Sequence, residues 1–342
     1  MKDYGKQDRD KINMEKTAER KDLPSHSDAA DFGGAGRDYG NRAKMEAGAV
    51  EKKTYRHWDS PEKMAKNKAE VPNYDEKMHE VDKAALYTKR SVIEAQRDRI
   101  NEDNYKRIRS ELGSNKTEIY SDANFRSMLP NDERHAHVIG MRDMKDGKIQ
   151  LRDNDIESLK HTSTHETMHD LSFQNAEHNV DTFRTEKGDT ISVSETRQTS
   201  GIHVYENKKY IQNGEIKRVE ENQLNRYLNE GITEKNTISE MLKRGENPSV
   251  ESYTQEVNWA INLEEKVGKD LIDDAYYGGN IDQLKDRVDS MSSSGNAWEE
   301  LNQNIDRYHY ELDPVAKIEY KRNVDVILDE LHDREKELKK VR

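Results

Sequence analysis

Residues 161–173 read HTSTHETMHDLSF, and within them His165, Glu166, Thr167, Met168 and His169 spell HExxH. On an α-helix, side chains four apart lie on one face, so His165 and His169 can offer two imidazole nitrogens to one ion while Glu166 sits about 100° round the barrel. That spacing puts a carboxylate beside the ion's open position. Zinc held by three protein groups keeps a fourth position for water and lowers its pKa toward ~7, and a neighbouring glutamate can take a proton as the water attacks a carbonyl. The stretch therefore predicts a metal-bearing helix and a hydrolytic reaction, and it demands a third ligand elsewhere.

Downstream, residues 221–244 predict a helix with Leu224, Tyr227, Leu228, Ile232, Ile238 and Leu242 on one broad apolar side and Gly245 as its stop. Inside it stands Asn229-Glu230-Gly231-Ile232-Thr233-Glu234, NEGITE. Glu230 and Glu234 are four apart and share a face, so one helix can serve both an ion and a histidine that holds it. Glu177, His178 and Asp181 are the alternative ligands nearer in sequence.

HETMH followed by NEGITE resembles the gluzincins, the thermolysin-like group of zinc metallopeptidases, whose second helix carries an Asn-Glu-x-x-Ser/Asp-type motif. The resemblance implies that Glu230 is the third zinc ligand. It also implies that Glu234 accepts a hydrogen bond from the outer nitrogen of a ligand histidine, which fixes the tautomer and strengthens the metal bond. The interval from His169 to Glu230 is several-fold longer than in that group, so the strands expected between Asp181 and Val219 must form an excursion that returns the chain to the ion. A metzincin pattern fails, because Ser172 and Asn175 stand where it needs Gly and His. The resemblance spans residues 117–284, strongly at the two motifs and loosely over the helical segment 252–284 with AYYGGN at 275–280. Gluzincins commonly supply a Tyr or His from the C-terminal half to a developing oxyanion. Tyr253, Tyr276 and Tyr277 are the candidates, Tyr253 first because it opens the helix after NEGITE.

The remaining chain supports a small core in a dilute sequence. Of its 342 residues 32% are hydrophobic and 37% charged, which predicts at least one unfolded tail beside the core. A net charge of −12 argues against nucleic acid or an anionic membrane as partner. The absence of an 18-residue apolar run and of an apolar region in the polar first 25 residues predicts a soluble chain without membrane span or classical signal peptide. Such a chain is cytoplasmic or exported by another route. With no cysteine, His, Asp and Glu are the only strong metal ligands.

Residues 1–74 read as a disordered polar leader whose DFGGAGRDYG run at 31–40 lacks the strand and the Gly-Lys-Ser/Thr of a phosphate loop. Residues 75–115 form an amphipathic helical preface, single or broken, and 116–342 the catalytic domain, with strands and active-site helices over 116–245 and a helical lower half over 246–342. A strand at 117–120 and a hairpin of residues 137–141 and 149–151 about Asp146-Gly147 lead to the HETMH helix, and either hairpin arm can pair with extended substrate. His135 and His137 read as surface residues. His161 belongs near the helix N-terminus, where Thr162, Ser163 or Thr164 caps. Two or three antiparallel strands fill residues 190–219, with turns at Lys187-Gly188 and Asn213-Gly214.

The expectation is an α+β zincin-like fold: a small mixed sheet over the HExxH helix and a mainly helical C-terminal half. Its function is zinc-dependent peptide hydrolysis, with Zn²⁺ on His165, His169 and Glu230, Glu166 as general base, Tyr253 as oxyanion donor and Glu234 behind a ligand histidine. A non-catalytic zinc-binding module or a helical interaction protein is the alternative. The polar leader and compact hydrolytic domain together resemble C-terminal toxin or effector domains of bacterial secreted proteins, which implies a protein or peptide substrate and a possible inhibitor protein.

Overall fold

Eleven helices and seven strands make up the described residues (60–112, 117–129, 138–142, 147–184, 189–248 and 253–331) of the computed structural model, an α+β arrangement. Helix α1 (Pro61–Glu70) lies inside the stretch expected to be unstructured leader. Ser60 accepts the Lys63 amide and Pro61 fills the first helical position, a start signal that propensity alone undervalues. Asn67 anchors it, donating to the Ile119 carbonyl at 2.8 Å and accepting the Ser121 amide at 3.0 Å. Residues 1–59 of the expected leader lie outside the described residues. The expected preface is two helices, α2 (Tyr74–Gln96) and α3 (Glu102–Ser110), and α2 packs along the HETMH helix.

Strand β1 (Thr117–Tyr120), helix α4 (Asp122–Met128) and strands β2 (Gly140–Arg142) and β3 (Ile149–Arg152) follow. The sheet order is β1–β3–β2, with β3 parallel to β1 and antiparallel to β2, so β2 is an edge. Ile119, Ile149 and Leu151 face Val81 of α2 and Leu159 of the HETMH helix in a core of their own. Asp146, His135 and His137 lie outside the described residues.

Helix α5 (Ile156–Leu171) carries HETMH. It begins earlier than expected, because Asp155 accepts the Ser158 amide at 2.9 Å and caps it. Thr162 and Thr164 are therefore interior rather than capping, and their hydroxyls donate back to the Ser158 and Lys160 carbonyls at 2.8 Å. Nearly every side chain of α5 from His161 on is buried despite its polar composition.

After α5 the chain makes a four-stranded antiparallel meander: β4 (Gln174–Arg184), β5 (Thr190–Ser200), β6 (His203–Gln212) and β7 (Glu215–Leu224). Two or three strands were expected, and β4 is the addition. Its side chains are exposed on both faces, so it lacks the apolar alternation that marks a half-buried strand. Asn213 and Gly214 turn β6 into β7 at φ 52° and 85°, the left-handed pair such hairpins need. The Lys187-Gly188 turn lies outside the described residues. The strand β7 runs through Leu224, so the helix expected from residue 221 begins instead as α6 (Arg226–Lys243), after Asn225 turns the chain at φ 61°.

The meander is tied down at its root. The Gly201 amide donates to the Phe173 carbonyl at 2.8 Å, the Ile202 amide to Asn229 Oδ1 at 2.9 Å, and Asn225 Nδ2 to the Ile202 carbonyl at 3.0 Å. Gly201 has φ 60°, and a Cβ there would stand 2.4 Å from Asn229 Oδ1. These bonds join the end of α5 to the start of α6, which closes the long excursion between the two motifs.

Helices α7 (Thr254–Val267), α8 (Lys269–Gly278), α9 (Ile281–Met291), α10 (Ala297–Tyr310) and α11 (Pro314–Glu330) form the rest. With α5 and α6 they enclose the main core, in which Met168, Ile232, Trp259, Tyr276, Leu284 and Leu301 are buried. Among the described residues, no helix is long and apolar enough to cross a membrane.

Candidate metal centre

Successive turns of α5 present His165 and His169 to the first turns of α6, where Glu230 projects between them. His165 Nε2 and His169 Nε2 each lie 3.2 Å from Glu230 Oε2 and 3.1 Å from one another. The three side chains form a candidate metal-binding triad. Two bonds of about 2.0–2.1 Å meeting at a tetrahedral angle put their ends about 3.4 Å apart, so the spacing suits a small cation.

Proton bookkeeping points the same way. His165 Nδ1 lies 2.8 Å from Glu234 Oε2, whose carboxyl is held down to about 2: burial opposes ionisation and the hydrogen bonds from His161 and His165 outweigh it. An ionised carboxylate only accepts, so His165 donates through Nδ1. A neutral His165 then turns a lone pair from Nε2 toward the Glu230 carboxylate and a second imidazole. That arrangement needs a positive charge at its centre, a proton or a metal ion. With a proton alone, burial would lower His165, but hydrogen bonds to Glu230 and Glu234 hold it well above the usual imidazole range. Burial likewise opposes ionisation of Glu230, and the two histidines nonetheless keep it well below the usual carboxylate range.

Glu166 lies on the same stretch of α5, under the edge strand. A Cβ at Gly140 would meet Thr162 Cγ2 at 2.3 Å and Glu166 Oε1 at 3.2 Å, so β2 passes directly over this carboxylate. Burial raises the Glu166 carboxyl, opposed by charge on His165 and His169. Behind it, Asp170 is buried and gathers three cations: Arg142 Nη2 of β2 at 2.7 Å, Arg107 Nη1 of α3 at 3.0 Å and Lys89 Nζ of α2 at 3.4 Å. This cluster clamps β2 and both preface helices to α5.

Of the three tyrosine candidates, Tyr253 alone reaches the centre. Its ring stacks on His165 at 5.8 Å between centroids and 10° between planes. Tyr253 holds φ 57°, a sparsely populated region for a bulky residue, at the N-cap of α7. Burial, reinforced by Glu230, pushes its hydroxyl well above the ordinary range, so it remains a donor. Tyr276 and Tyr277 are core residues, the first hydrogen-bonded to Thr233 at 2.8 Å and the second to Asn236 at 3.4 Å. Glu177, His178 and Asp181, the alternative ligands, lie exposed on β4, where His178 meets Thr196 instead.

Three residues near the centre were not assigned roles from sequence. His161, expected at a helix end, is buried and meets Glu234 Oε1 at 2.8 Å. Arg142, one residue beyond the expected hairpin arm, ends β2 and reaches Asp170 at 2.7 Å. His203, at the root of β6, feels Arg226 and Glu230; burial and the Arg226 charge push its imidazole down to about 3. Each pairs with partners distant in the chain, and only the HxxxH spacing of His161 with His165 was available as a signal. No protein-family model, curated protein or solved structure matches the chain, which leaves the geometry as the ground for an assignment.

Proposed function

We propose that this chain is a zinc-dependent endopeptidase of zincin-like architecture, in which His165, His169 and Glu230 hold Zn²⁺. The observation that carries the reading is the convergence of two imidazole nitrogens and one carboxylate oxygen within 3.1–3.2 Å, from helices separated by a whole sheet, with Glu166 alongside. Their donor set, two nitrogens and one oxygen, matches what catalytic zinc takes from a protein. When bound, the ion supplies Lewis acidity and lowers the pKa of water toward ~7.

The chain's own groups supply the remainder. Glu166 takes a proton from the attacking water and returns it to the leaving amine, a task suited to a carboxyl raised by burial. Tyr253 donates to the carbonyl oxygen as negative charge develops there. Glu234 fixes His165 with its Nε2 lone pair toward the ion. The strand β2, last in its sheet among the described residues and passing over Glu166, offers an extended peptide a strand to join.

Two measurements on the purified full chain test this. Metal analysis of protein prepared without added zinc should find about one equivalent. A peptide-library digest with the zinc-loaded protein should give cleavage that the Glu166→Gln variant lacks. Full metal without any cleavage would make it a zinc-binding module, and no metal would end the proposal.

A further inference from the structure

His161 and His165 occupy consecutive turns of α5 and grip the two oxygens of one carboxylate. His161 Nε2 meets Glu234 Oε1 and His165 Nδ1 meets Glu234 Oε2, both at 2.8 Å. All three side chains are buried, Glu234 to 1% exposure. The HExxH motif does not contain His161, and the motif's chemistry does not need it.

The geometry points to His161 as a positioning residue for the metal centre, orienting Glu234 so that its second oxygen receives the Nδ1 hydrogen of His165. This rests on the metal-centre reading above. A glutamate on one helix that reaches a histidine on another has three side-chain torsions to settle. One hydrogen bond leaves the carboxylate free to swing about it. A second bond, from a residue four earlier on the same helix as the target, fixes both oxygens in one plane relative to α5.

The chemistry fixes the direction of each bond. Carboxylate oxygens only accept when ionised, so both histidines donate: His161 through Nε2 and His165 through Nδ1. Since Glu234 is satisfied on both sides inside α5 and α6, it has no call to turn toward the ion and compete with Glu230. His161 thus acts through Glu234 on the direction of the His165 lone pair, without touching the ion or substrate itself.

The test uses the full chain and zinc alone, with affinity measured by competition against a chelator. Outer partners of metal-binding histidines are worth about 10–100-fold in affinity, and a residue one step further out should give about tenfold. His161→Leu, which keeps bulk but donates nothing, is expected to weaken zinc by about that factor. His161→Gln, whose Nε2 amide can reach the same oxygen, is expected to restore most of it. Equal affinity in wild type and His161→Leu overturns the inference, as does a His161→Gln variant as weak as His161→Leu. Ring nitrogen NMR of the metal-free wild type gives a reading that no folding defect obscures. A hydrogen on His161 Nε2 and another on His165 Nδ1 are expected, and a bare His161 Nε2 overturns the inference. Wild type that binds no zinc while showing both ring hydrogens sinks the metal-centre reading and leaves the His161–Glu234–His165 arrangement standing.

Discussion

The side chain of Asn229 accepts the backbone amide of Ile202 at 2.9 Å, and this bond joins the root of the inserted sheet to the residue preceding Glu230. Both groups are buried. With the Asn225 and Gly201 bonds at the same root, this side chain helps set where the chain re-enters the candidate metal centre after the four strands.

Replacing Asn229 with alanine leaves the Ile202 amide without its acceptor. An unsatisfied buried donor costs about 1–3 kcal/mol, so thermal unfolding of Asn229→Ala should fall by several degrees. The zinc affinity should fall as well, because Glu230 sits on the disturbed turn. A melting temperature equal to wild type would contradict the role assigned to this bond.

Glu166→Gln should lose peptide cleavage by at least ~10²-fold, the range expected of a general base, while keeping its zinc equivalent. Activity at the wild-type rate in that variant would show that another group moves the proton.

At Gly140 even one methyl group has no room, given Thr162 Cγ2 at 2.3 Å from the position it would take. Gly140→Ala should cost about 1–3 kcal/mol through overpacking and shift β2 away from Glu166. Denaturant titration reads the first effect; a rise in KM for peptide substrate reads the second.

Asp170 is held down to about 2: burial opposes its charge, and Arg142, Lys89 and Arg107 overcome that opposition. A carboxyl lower in the folded than in the unfolded chain contributes its full stability above the unfolded value near 3.8, and loses it as pH falls toward 2. The contribution is about 2 kcal/mol, visible as a steep loss of stability below pH 4. Asp170→Asn should flatten that limb and destabilise the protein by about 3–5 kcal/mol at neutral pH, since the buried Arg142 and its neighbours Lys89 and Arg107 would lose the charge they gather on.

Asp306 on α10 has the opposite sign. Burial raises it to about 7, with Arg226 opposing. An acid raised by folding favours the native state at low pH and withdraws that support as pH climbs from about 4 to 7. Asp306→Asn should therefore raise the melting temperature at pH 8 and leave it unchanged at pH 3. An equal shift at both values would point to packing instead of charge.

What could be read from the sequence was local and periodic. HETMH and NEGITE were legible because positions four apart share a helix face whatever surrounds them, and the strand at 117–120 announced itself by composition. By contrast, α5 offers no apolar stripe: it is buried on nearly every side although polar, with Thr162 and Thr164 donating to carbonyls of their own helix. The strand β4 was missed because neither of its faces is covered, and ENQL at 221–224 was given to a helix because Leu224 continues the apolar series of α6. The partners of His161, Asp170 and Asn229 stand 73, 28 or more, and 27 residues away, and no spacing rule reaches across a sheet.

Among the described residues the meander is fastened at its base by the Gly201, Asn225 and Asn229 bonds, and at its tip nothing lies within 4 Å of where a Gly214 side chain would begin. Hairpin arms can lengthen or shorten by paired residues without changing which face each side chain occupies. The number of residues separating the two halves of the candidate metal centre is thus a tunable length. A fluorescent or affinity tag spliced into the tip would ride on the protein as an outboard handle, leaving His165, His169 and Glu230 where they are.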